Sequence, residues 1–517
     1  MGYDITAFLD EQVGRGAGRT ALTFEGQHTS FGALDQRVKR LAGALRQAGL
    51  EARKDARVFV LDKNHPATIE LTLAAAKAGV TCVIGNWRLA PEEIAWAVND
   101  SRARILFLGH ELTSALGSIR VSMPSLERVV VVGGKDDGYE AFLASGQPLV
   151  TPATHEDDDC FLQLYTSGTT GFPKGAMLTH RSVGAHTRML IEQMAPGSDS
   201  VGLVPMPLFH VGGICWSLIS LHAGGATVVT RDPSPASLLK TLSSEGVTHT
   251  FVVPAVLHGL LAQPDFAKHD LSRLRCVLYG GSPMPLPLLQ KCLAALPCDL
   301  CQVWGMTEMS GVISVLDGAA HRDASHPERL LSAGRMVPGI ELRVVDPSTG
   351  VDAKEGQVGE FWVRGEQRLK AYWVREEETR TTITPDGWLK TGDAGRVDQD
   401  GFVYIQDRVK DMVISGGENV YPAEIERVLQ QVPGVAEVAV FGIPHEKWGE
   451  TLCAAVVVKA GQSLTADELI AFSRQHLAGY KCPSRVDFIS ALPRNATGKV
   501  LKRDLRAPFW AGRSRPV

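Results

Sequence analysis

The chain has 517 residues, several times the length of a typical domain, so two or more domains are expected. Hydrophobic residues make up 44% and charged residues 21%, which is typical of a soluble globular protein and excludes a disordered or fibrous chain. The 53 Lys and Arg against 57 Asp and Glu give a net charge of −4, so the charge balance provides no attraction for nucleic acid. Apolar runs are too short for a transmembrane segment, and no signal peptide is predicted.

The nine cysteines are scattered along the chain. An odd number in a long chain favours reduced thiols over a disulfide framework, so the sequence predicts a cytoplasmic protein. Lysine and arginine form no clear basic cluster, although a peripheral contact with a membrane stays open. The sequence does not indicate whether the protein is a monomer or an oligomer.

Helix and strand patterns alternate through the first half of the chain. Apolar residues recur at three- and four-residue spacing from Phe31 to Leu45, which predicts a helix that ends near Gly49. A second helix is predicted at 67–78, closed by Gly79. Short apolar runs predict strands at 58–61, 81–84, 105–108, 129–132, 227–230, 250–253 and 276–279. Continuous apolar strands that alternate with helices predict an α/β fold, with a large N-terminal domain of helix-flanked, mainly parallel sheets.

The last hundred residues have a different pattern. Helices are predicted at 424–429 and 465–477, the second starting with a capping box of Thr465 and Glu468, and strands at 435–441 and 452–458. This pattern predicts a small α+β C-terminal domain that could fold separately. The boundary is expected near the charged stretch 407–411, which gives domains of residues 1–407 and 408–517.

The most informative motif is Tyr-Thr-Ser-Gly-Thr-Thr-Gly-Phe-Pro-Lys-Gly at residues 165–175. Glycines let backbone amides turn toward an anion, hydroxyls add donors, and the lysine adds a point charge, so this composition suits a polyphosphate. The motif lacks the Gly-Lys-Ser/Thr ending of a Walker A loop. A flexible linker is the alternative, but a linker would not need the preceding strand or the fixed Pro-Lys pair.

Further motifs follow in order: Pro-Leu-Phe-His at 207–210, Tyr-Gly-Gly-Ser at 279–282, Gln-Val-Trp-Gly-Met-Thr-Glu at 302–308, Thr-Gly-Asp at 391–393, Asp-Arg-Val-Lys-Asp at 407–411, Ser-Gly-Gly-Glu-Asn-Val-Tyr-Pro-Ala-Glu at 415–424 and Pro-Arg-Asn-Ala-Thr-Gly-Lys at 493–499. In this order they resemble the adenylate-forming superfamily of acyl-CoA synthetases, luciferases and nonribosomal-peptide adenylation domains. Each motif alone is weak. The ordered set is specific, and the resemblance covers most of the chain.

The resemblance implies a two-step reaction. A carboxylate attacks the α-phosphate of ATP to give acyl-AMP and pyrophosphate, and the thiol of coenzyme A then displaces AMP. Because two anions must approach each other, cations and oriented donors should dominate catalysis. Lys499 is the expected bridging cation, and Glu308 and Thr166 are the expected oxygen ligands of Mg²⁺. Without the resemblance, Lys499 would be interpreted as an exposed lysine and Glu308 as a solvated acid.

The remaining site residues are also implied by resemblance. The expected ATP and AMP contacts are Thr166, Ser167, Gly168, Thr169, Thr170, Gly171, Lys174, Gly280, Gly281, Ser282, Trp304, Gly305, Thr307, Asp393 and Arg408. Thr307 would bond the α-phosphate, and Asp393 with Arg408 would hold the ribose. Trp304 stands where the family more often has tyrosine, and its indole can still stack on a purine.

Lys410 lies at the hinge position of the family. Rotation there would bring first Lys499 and then Gly416 and Gly417 to the active site, the two glycines leaving a slot for the pantetheine arm of coenzyme A. The motion is implied by the resemblance alone.

The acyl pocket is expected next to His210, which is also an expected catalytic residue. Its expected lining is Met206, Val211, Gly213, Ile214 and Gly311. Val211 cannot pair with an ammonium group, which argues against an amino acid, and the apolar surroundings suit a hydrocarbon or aryl acid. These residues, His210 included, could instead belong to an ordinary core.

The stretches 411–423 and 446–450 resemble bacterial fatty-acid–CoA ligases, which favours a medium- or long-chain fatty acid. The sequence therefore predicts an AMP-forming acyl-CoA synthetase. An aryl-acid–CoA ligase and an enzyme that loads a carrier protein remain alternatives. A catalytically silent nucleotide-binding protein is disfavoured because Lys499, Glu308 and the phosphate motif are all present.

Overall fold

The computed structural model describes residues 3–50, 55–114, 122–135, 137–166, 173–347, 349–415, 418–445, 448–494 and 500–511. The chain forms two compact units. The first consists of Met1–Glu341 and Arg364–Gly387, and the second of Leu342–Val363 and Trp388–Val517. Within the described ranges, no helix has the length and apolar character that a membrane span requires. All nine cysteines are free.

The secondary structure follows the chain in this order. The helices are α1 Ala7–Gly16, α2 Phe31–Gln47, α3 Pro66–Ala78, α4 Pro91–Ser101, α5 Gly138–Ala144, α6 His180–Met194, α7 Val211–His222, α8 Pro235–Ser244, α9 Pro254–Leu261, α10 Leu286–Ala295, α11 Gly318–His321, α12 Glu376–Thr382, α13 Pro422–Leu429, α14 Ala466–His476 and α15 Lys502–Trp510. The strands are β1 Thr20–Phe24, β2 Gln27–Ser30, β3 Arg57–Leu61, β4 Thr81–Ile84, β5 Ile105–Gly109, β6 Arg128–Val132, β7 Cys160–Thr166, β8 Lys174–Thr179, β9 Val201–Val204, β10 Ala226–Val229, β11 His249–Val252, β12 Cys276–Gly280, β13 Asp299–Met306, β14 Gly311–Leu316, β15 Arg335–Met336, β16 Glu341–Val345, β17 Gly359–Arg364, β18 Ala371–Tyr372, β19 Leu389–Val397, β20 Val403–Arg408, β21 Val413–Ser415, β22 Glu418–Val420, β23 Val435–His445, β24 Gly449–Val458 and β25 Arg485–Phe488.

The first unit contains two large sheets. One has nine strands in the order β15-β14-β13-β12-β11-β9-β10-β1-β2, and its central strands from β13 to β1 are parallel. The other has seven strands in the order β18-β8-β7-β4-β3-β5-β6, parallel from β7 to β6. Leucines of α8 and α9 pack on the nine-stranded sheet, and Ile94 and Val98 of α4 pack on the seven-stranded sheet. The predicted α/β fold is therefore confirmed.

Helix boundaries in the first unit follow from local chemistry. The Ser30 side chain accepts a hydrogen bond from the Ala33 amide at 3.2 Å and so caps α2. Helix α3 begins at Pro66 and is followed by Gly79, whose φ of +74° is the left-handed conformation that ends a helix. The first helix was predicted from its apolar spacing and the second as a stretch closed by Gly79, and the observed ends lie within two or three residues of the predicted ones.

The second unit contains a four-stranded sheet in the order β16-β17-β19-β20 and a five-stranded sheet built on the long β23–β24 hairpin, with β25 also on β24. Thr465 and Glu468 form the predicted capping box of α14. Strand β23 continues to His445, beyond the predicted end at 441, because its ladder with β24 continues through Ile443 and Thr451. The division into residues 1–407 and 408–517 remains a prediction.

The stability of the first unit should depend on buried neutral histidines. Burial lowers the pKa of His65, His180 and His186 to about 4, and the pKa of His222 to about 3. Because these side chains take up protons near their ordinary pKa of 6.5 only after unfolding, their stabilising contribution is complete above pH 6.5 and is lost as the pH falls toward 4.

We expect the melting temperature to fall as the pH is lowered from 6.5 to about 4. In this range each histidine should lower the free energy of unfolding by about 1.4 kcal/mol per pH unit. Calorimetry across this range measures the slope. The variant His222→Phe should show a shallower slope, because its ring can keep the 4.0 Å stack on Phe8 without titrating. Equal melting temperatures at pH 5 and pH 7.5 would contradict the expectation.

Candidate active site

Three expected site segments lie at one edge of the nine-stranded sheet. Strands β9, β12 and β13 are parallel and end at Val204, Gly280 and Met306. Because the carboxyl ends of parallel strands share one edge, the segments that follow them, with His210, Ser282 and Glu308, are brought to the same edge of the sheet. Crevices at such edges are the usual ligand sites of α/β folds.

The predicted phosphate loop connects two antiparallel strands of the seven-stranded sheet. Strand β7 ends at Thr166, β8 begins at Lys174, and these two residues are paired. The Thr166 hydroxyl donates to the Lys174 carbonyl at 3.4 Å, which closes the base of the loop. Ser167, Gly168, Thr169, Thr170 and Gly171 lie outside the described residues. The structure thus defines the two ends of the loop.

Tyr372 connects the two halves of the expected phosphate and metal site. Its hydroxyl donates to Glu308 Oε1 at 2.8 Å, and Glu308 is only 8% exposed. Burial, together with the Glu308 carboxylate, raises the pKa of Tyr372, so the phenol keeps its proton and remains a donor. The Lys174 Nζ lies 5.4 Å from the centre of the Tyr372 ring. Tyr372 is therefore a common neighbour of Lys174 and Glu308.

A tight turn presents Thr307 and Glu308. These residues form a short 3₁₀ turn, Thr307–Met309, between the antiparallel strands β13 and β14. Ser310 has a φ of +56°, and its amide donates to the Thr307 carbonyl at 2.9 Å. A Cβ atom at Gly305 would lie 1.9 Å from the Gly311 carbonyl oxygen, so only glycine lets the hairpin close here. Gly305 is therefore required by the backbone packing of the hairpin, independently of its expected contact with the nucleotide.

The expected adenine contacts are neighbours at the ends of β12 and β13. Gly280 pairs with Val303, the residue before Trp304, and a Cβ at Gly280 would meet the Val303 carbonyl at 2.3 Å. Gly281 has a φ of +76°, which turns the chain out of the strand toward Ser282. The Trp304 side chain is 8% exposed. A tryptophan and a glycine-rich backbone at the ends of adjacent strands are a combination that suits a purine, and the contact itself remains a prediction.

Asn64 holds the segment that leads to His210. Its amide nitrogen donates to the Met206 carbonyl at 3.0 Å, and its amide oxygen accepts from the Leu208 amide at 2.9 Å. Asn64 follows β3 of the seven-stranded sheet, whereas Met206 and Leu208 follow β9 of the nine-stranded sheet. One side chain therefore ties together the carboxyl edges of both sheets.

His210 caps helix α7. Its Nδ1 accepts a hydrogen bond from the Gly212 amide at 3.1 Å, so the proton of the neutral ring is on Nε2. A Cβ at Gly213 would lie 2.1 Å from the Pro207 carbonyl oxygen, which explains why glycine is needed where the helix meets the preceding loop. The cap fixes both the orientation and the tautomer of the expected catalytic histidine.

The expected acyl-pocket residues are carried by α7 and the elements around it. Val211 and Ile214 are buried in α7, Met206 precedes it and is half-buried, and Gly311 begins β14. Helix α7 packs against α6, β9 and β14. The structure thus brings the predicted lining together on neighbouring elements, and its contact with a substrate remains a prediction.

In the second unit, Asp393 and Arg408 face each other across two strands. They are directly paired in the β19–β20 ladder, and the Arg408 Nε lies 2.6 Å from Asp393 Oδ1. Asp393 is only 5% exposed, so the arginine neutralises a nearly buried carboxylate. The structure places the two expected ribose contacts side by side, and their role toward a nucleotide remains a prediction.

The expected hinge lies in a short turn of the second unit. Lys410 is the middle residue of the turn Val409–Asp411, but its side chain lies outside the described part of the chain. Before the turn, Asp407 accepts from the Ala423 amide at 2.7 Å, and Asp411, the last residue of the turn, lies 3.5 Å from Arg506 of α15. Gly416, Gly417 and Lys499 also lie outside the described residues.

Two residues of the site were missed by the sequence analysis. Tyr372 and Asn64 are separated by 64 and 144 residues from the partners Glu308 and Leu208 that give them their roles. Neither lies in one of the motifs discussed above. A polar Asn three residues after a buried strand was the one available signal, and it does not indicate which segment the side chain holds.

Comparison with known proteins defines the class. The model of the AMP-binding enzyme family matches residues 9–373, and the model of the AMP-binding enzyme C-terminal domain matches residues 424–499. The chain belongs to this family, and its membership of the adenylate-forming superfamily is confirmed. More particularly, it is a member of the acid–CoA ligase family of enzymes.

Its relatives differ in acid and in thiol. The chain is 38% identical over 503 residues to the fatty acid–[acyl-carrier-protein] ligase ScoC of Streptomyces coeruleorubidus, covering 96% of this chain and 95% of that protein. It is 38% identical over 495 residues to a feruloyl-CoA synthase of an Amycolatopsis species, with coverages of 95% and 96%. ATP-bound MatB from Rhodopseudomonas palustris superposes with a TM-score of 0.89 at 28% identity, covering 98% of this chain and 99% of that one.

If Glu308 is the Mg²⁺ ligand that the sequence analysis expects, replacing Tyr372 with phenylalanine should weaken Mg²⁺ binding. The Glu308 carboxylate would lose its 2.8 Å donor and with it a fixed orientation, which should raise the Mg²⁺ concentration for half-maximal pyrophosphate release about tenfold. The control Tyr139→Phe removes a similar buried bond, to Glu70, and should lower stability without changing the Mg²⁺ dependence. Equal Mg²⁺ curves for Tyr372→Phe and wild type would refute the positioning role.

Replacing Asn64 with alanine should misplace the loop before His210. We expect kcat to fall about tenfold or more while the KM for ATP changes little, because the lost bonds position the acyl side of the site. The matched control is Asn99→Ala, which removes an exposed bond to the Ser122 carbonyl at 2.6 Å and should leave kcat unchanged. A purely structural role would instead lower the melting temperature and leave kcat within twofold.

Proposed function

We propose that the protein is an AMP-forming acyl-CoA synthetase that joins a largely apolar carboxylic acid to coenzyme A. The observation that carries the proposal is the contact of Tyr372 with both Glu308 and Lys174. That contact connects an oxygen ligand suited to Mg²⁺ with the strand that begins directly after the phosphate loop. A site of this composition can neutralise a polyphosphate and position its α-phosphate.

In the first step, a carboxylate oxygen of the acid bonds to the α-phosphorus of ATP, and the bond to the pyrophosphate oxygen breaks. Negative charge accumulates on the phosphate oxygens during this displacement, so donors aimed at them lower the barrier. We assign this work to Lys174, Lys499 and the hydroxyl of Thr307. The Nε2–H of His210, whose tautomer follows from the cap on α7, would donate to an oxygen of the acyl adenylate.

The proposed Mg²⁺ ligands fit the ion. Glu308 offers a carboxylate oxygen and Thr166 a hydroxyl oxygen, which are the hard donors that Mg²⁺ prefers, so these two residues would hold the ion. When bound, the ion would neutralise charge on the phosphates and favour departure of pyrophosphate. Tyr372 would hold the Glu308 carboxylate in place for it.

In the second step, the sulfur of coenzyme A attacks the acyl carbonyl carbon, the thiol loses its proton, and AMP leaves with the electrons of the broken C–O bond. We assign the pantetheine slot to Gly416 and Gly417, where the absence of side chains would leave room for the arm. Rotation at Lys410 would exchange Lys499 for this slot. These assignments follow from the resemblance of the motifs.

Two classes of acyl group fit the apolar surroundings of Val211 and Ile214. The first is a medium- or long-chain fatty acid, which the C-terminal motifs favour. The second is an aryl or oxygenated acid, which a buried histidine beside Gly311 favours. Carrier-protein loading is a variant of the second step, since ScoC is named as an acyl-carrier-protein ligase and the feruloyl enzyme as a CoA synthase.

Pyrophosphate release tests the proposal. The assay contains ATP and Mg²⁺ with acetate, octanoate, palmitate, benzoate, a cinnamate or an amino acid, each with and without coenzyme A. The proposal requires turnover with an aliphatic or aryl acid that increases when coenzyme A is present. Pyrophosphate release that is equal with and without coenzyme A would favour carrier loading. The absence of pyrophosphate release with every acid would overturn the proposal.

Two substitutions should separate the half-reactions. Lys499→Ala should reduce formation of acyl-AMP at least a hundredfold, because the bridging cation is lost, while transfer from supplied acyl-AMP to coenzyme A should stay within a few-fold of wild type. Gly417→Leu should have the opposite effect, because its side chain would fill the pantetheine slot. Pyrophosphate release measures the first half and thioester formation measures the second.

Matched controls lie in the same unit. Lys459→Ala removes an exposed lysine, and Gly479→Leu adds the same side chain at a glycine with open space around the Cβ position. Both controls should leave both half-reactions unchanged. If Lys499→Ala reduced the two halves equally, the division of labour between the two poses would be refuted.

A further inference from the structure

A buried histidine lies among the elements that carry the expected acyl pocket. His186 is in the middle of α6 and is 2% exposed. Within the described part of the chain, neither of its ring nitrogens has a hydrogen-bond partner. A buried polar group without a partner costs about 1–3 kcal/mol, so such a group in a native protein needs an explanation.

The imidazole of His186 packs directly on Gly311. A Cβ atom at Gly311 would lie 2.4 Å from the His186 Nε2, so the glycine leaves the space that the ring occupies. Gly311 begins β14, directly after the turn that carries Glu308. The ring therefore borders the same hairpin that presents the expected metal ligand.

Helix α6 also packs against α7, and α7 packs against β14. The predicted acyl-pocket residues Val211 and Ile214 are on α7, and Gly311 is on β14. His186 therefore lies on a helix that packs against α7, and its ring approaches β14 at Gly311.

A second unsatisfied atom lies near the same hairpin. Gln367 is 3% exposed, and its side-chain oxygen has no partner within the described residues. Its backbone carbonyl accepts from the Ser310 hydroxyl at 2.9 Å, next to Gly311. Two buried residues that contact Ser310–Gly311 therefore have side-chain atoms without a hydrogen-bond partner among the described residues.

His186 is neutral under ordinary conditions, because burial lowers its pKa to about 4. A neutral imidazole has one nitrogen that donates and one that accepts. It can therefore bind a hydroxyl group, or a carbonyl or ether oxygen, but it offers no charge for a second carboxylate.

We infer that His186 is a specificity-determining residue that hydrogen-bonds an oxygen-bearing group on the acyl part of the substrate. The inference rests on the proposed function and favours an aryl or oxygenated acid over a plain alkyl chain. An acid with a hydroxyl group remote from its carboxylate could form a hydrogen bond with the buried ring. Its deoxy analogue could not, so the ring nitrogens would stay without a partner and the analogue would bind less well.

Matched pairs of acids test the inference. 4-Hydroxycinnamate is compared with cinnamate, and 10-hydroxydecanoate with decanoate, by pyrophosphate release with ATP and Mg²⁺. Wild type should prefer the hydroxylated member of one pair about tenfold in kcat/KM, which corresponds to about 1.4 kcal/mol. In His186→Leu that preference should disappear, because kcat/KM for the hydroxylated acid falls while kcat/KM for the deoxy acid stays unchanged.

Two further variants make the test specific. His186→Gln keeps a donor and an acceptor and should restore part of the preference, which a merely structural role would not predict. Thr187→Val removes the neighbouring buried hydroxyl on the same helix, which also lacks a partner among the described residues, and should leave the preference unchanged.

The outcomes are distinguishable. Turnover without a preference in either pair, or a preference that survives in His186→Leu, would overturn the role of His186 and leave the proposed function intact. No pyrophosphate release with any acid would overturn the proposed function, and this inference with it.

Discussion

The candidate site depends on strand β8 being paired along both of its edges. Its antiparallel partner β7 ends at Thr166, and its other partner β18 ends at Tyr372. The backbone ladders therefore hold the base of the phosphate loop and the Tyr372 phenol at fixed positions relative to each other. Because the phenol donates to the Glu308 carboxylate, the same strand also orients a residue from the other large sheet of the first unit. A hydrogen bond to a charged group in a buried place is among the stronger single contacts in a protein.

Buried polar side chains in the first unit fall into two kinds. Asn64 uses its amide oxygen and its amide nitrogen, and the result is a rigid loop before His210. His186 uses neither ring nitrogen within the described residues, although it is almost completely buried. The first kind contributes to the fold and to positioning. His186, of the second kind, packs beside Gly311, one of the residues expected to line the acyl pocket.

In the second unit, charge neutralisation organises the expected ribose and hinge residues. Arg408 neutralises the nearly buried Asp393 across the β19–β20 ladder. Burial raises the pKa of Asp407, and the nearby Lys502, 4.0 Å away, opposes that rise. The residues before the hinge position are therefore held by backbone pairing and by opposite charges, and the expected hinge lies in the short turn Val409–Asp411 that follows them.

The sequence by itself determined the α/β class, the positions of nine of the 25 strands that the structure describes, and the ordered motifs. These features are local: continuous apolar runs indicate buried strands, glycine after an apolar helix indicates its end, and Gly, Thr and Lys in one loop indicate an anion site. Only the tertiary structure decided that Tyr372 donates to Glu308, that Asn64 holds the Leu208 amide, and that His186 packs on Gly311 without a partner of its own. These contacts join residues far apart in the chain, and hydrogen-bond geometry between distant segments depends on how the sheets and helices pack, which no local pattern encodes.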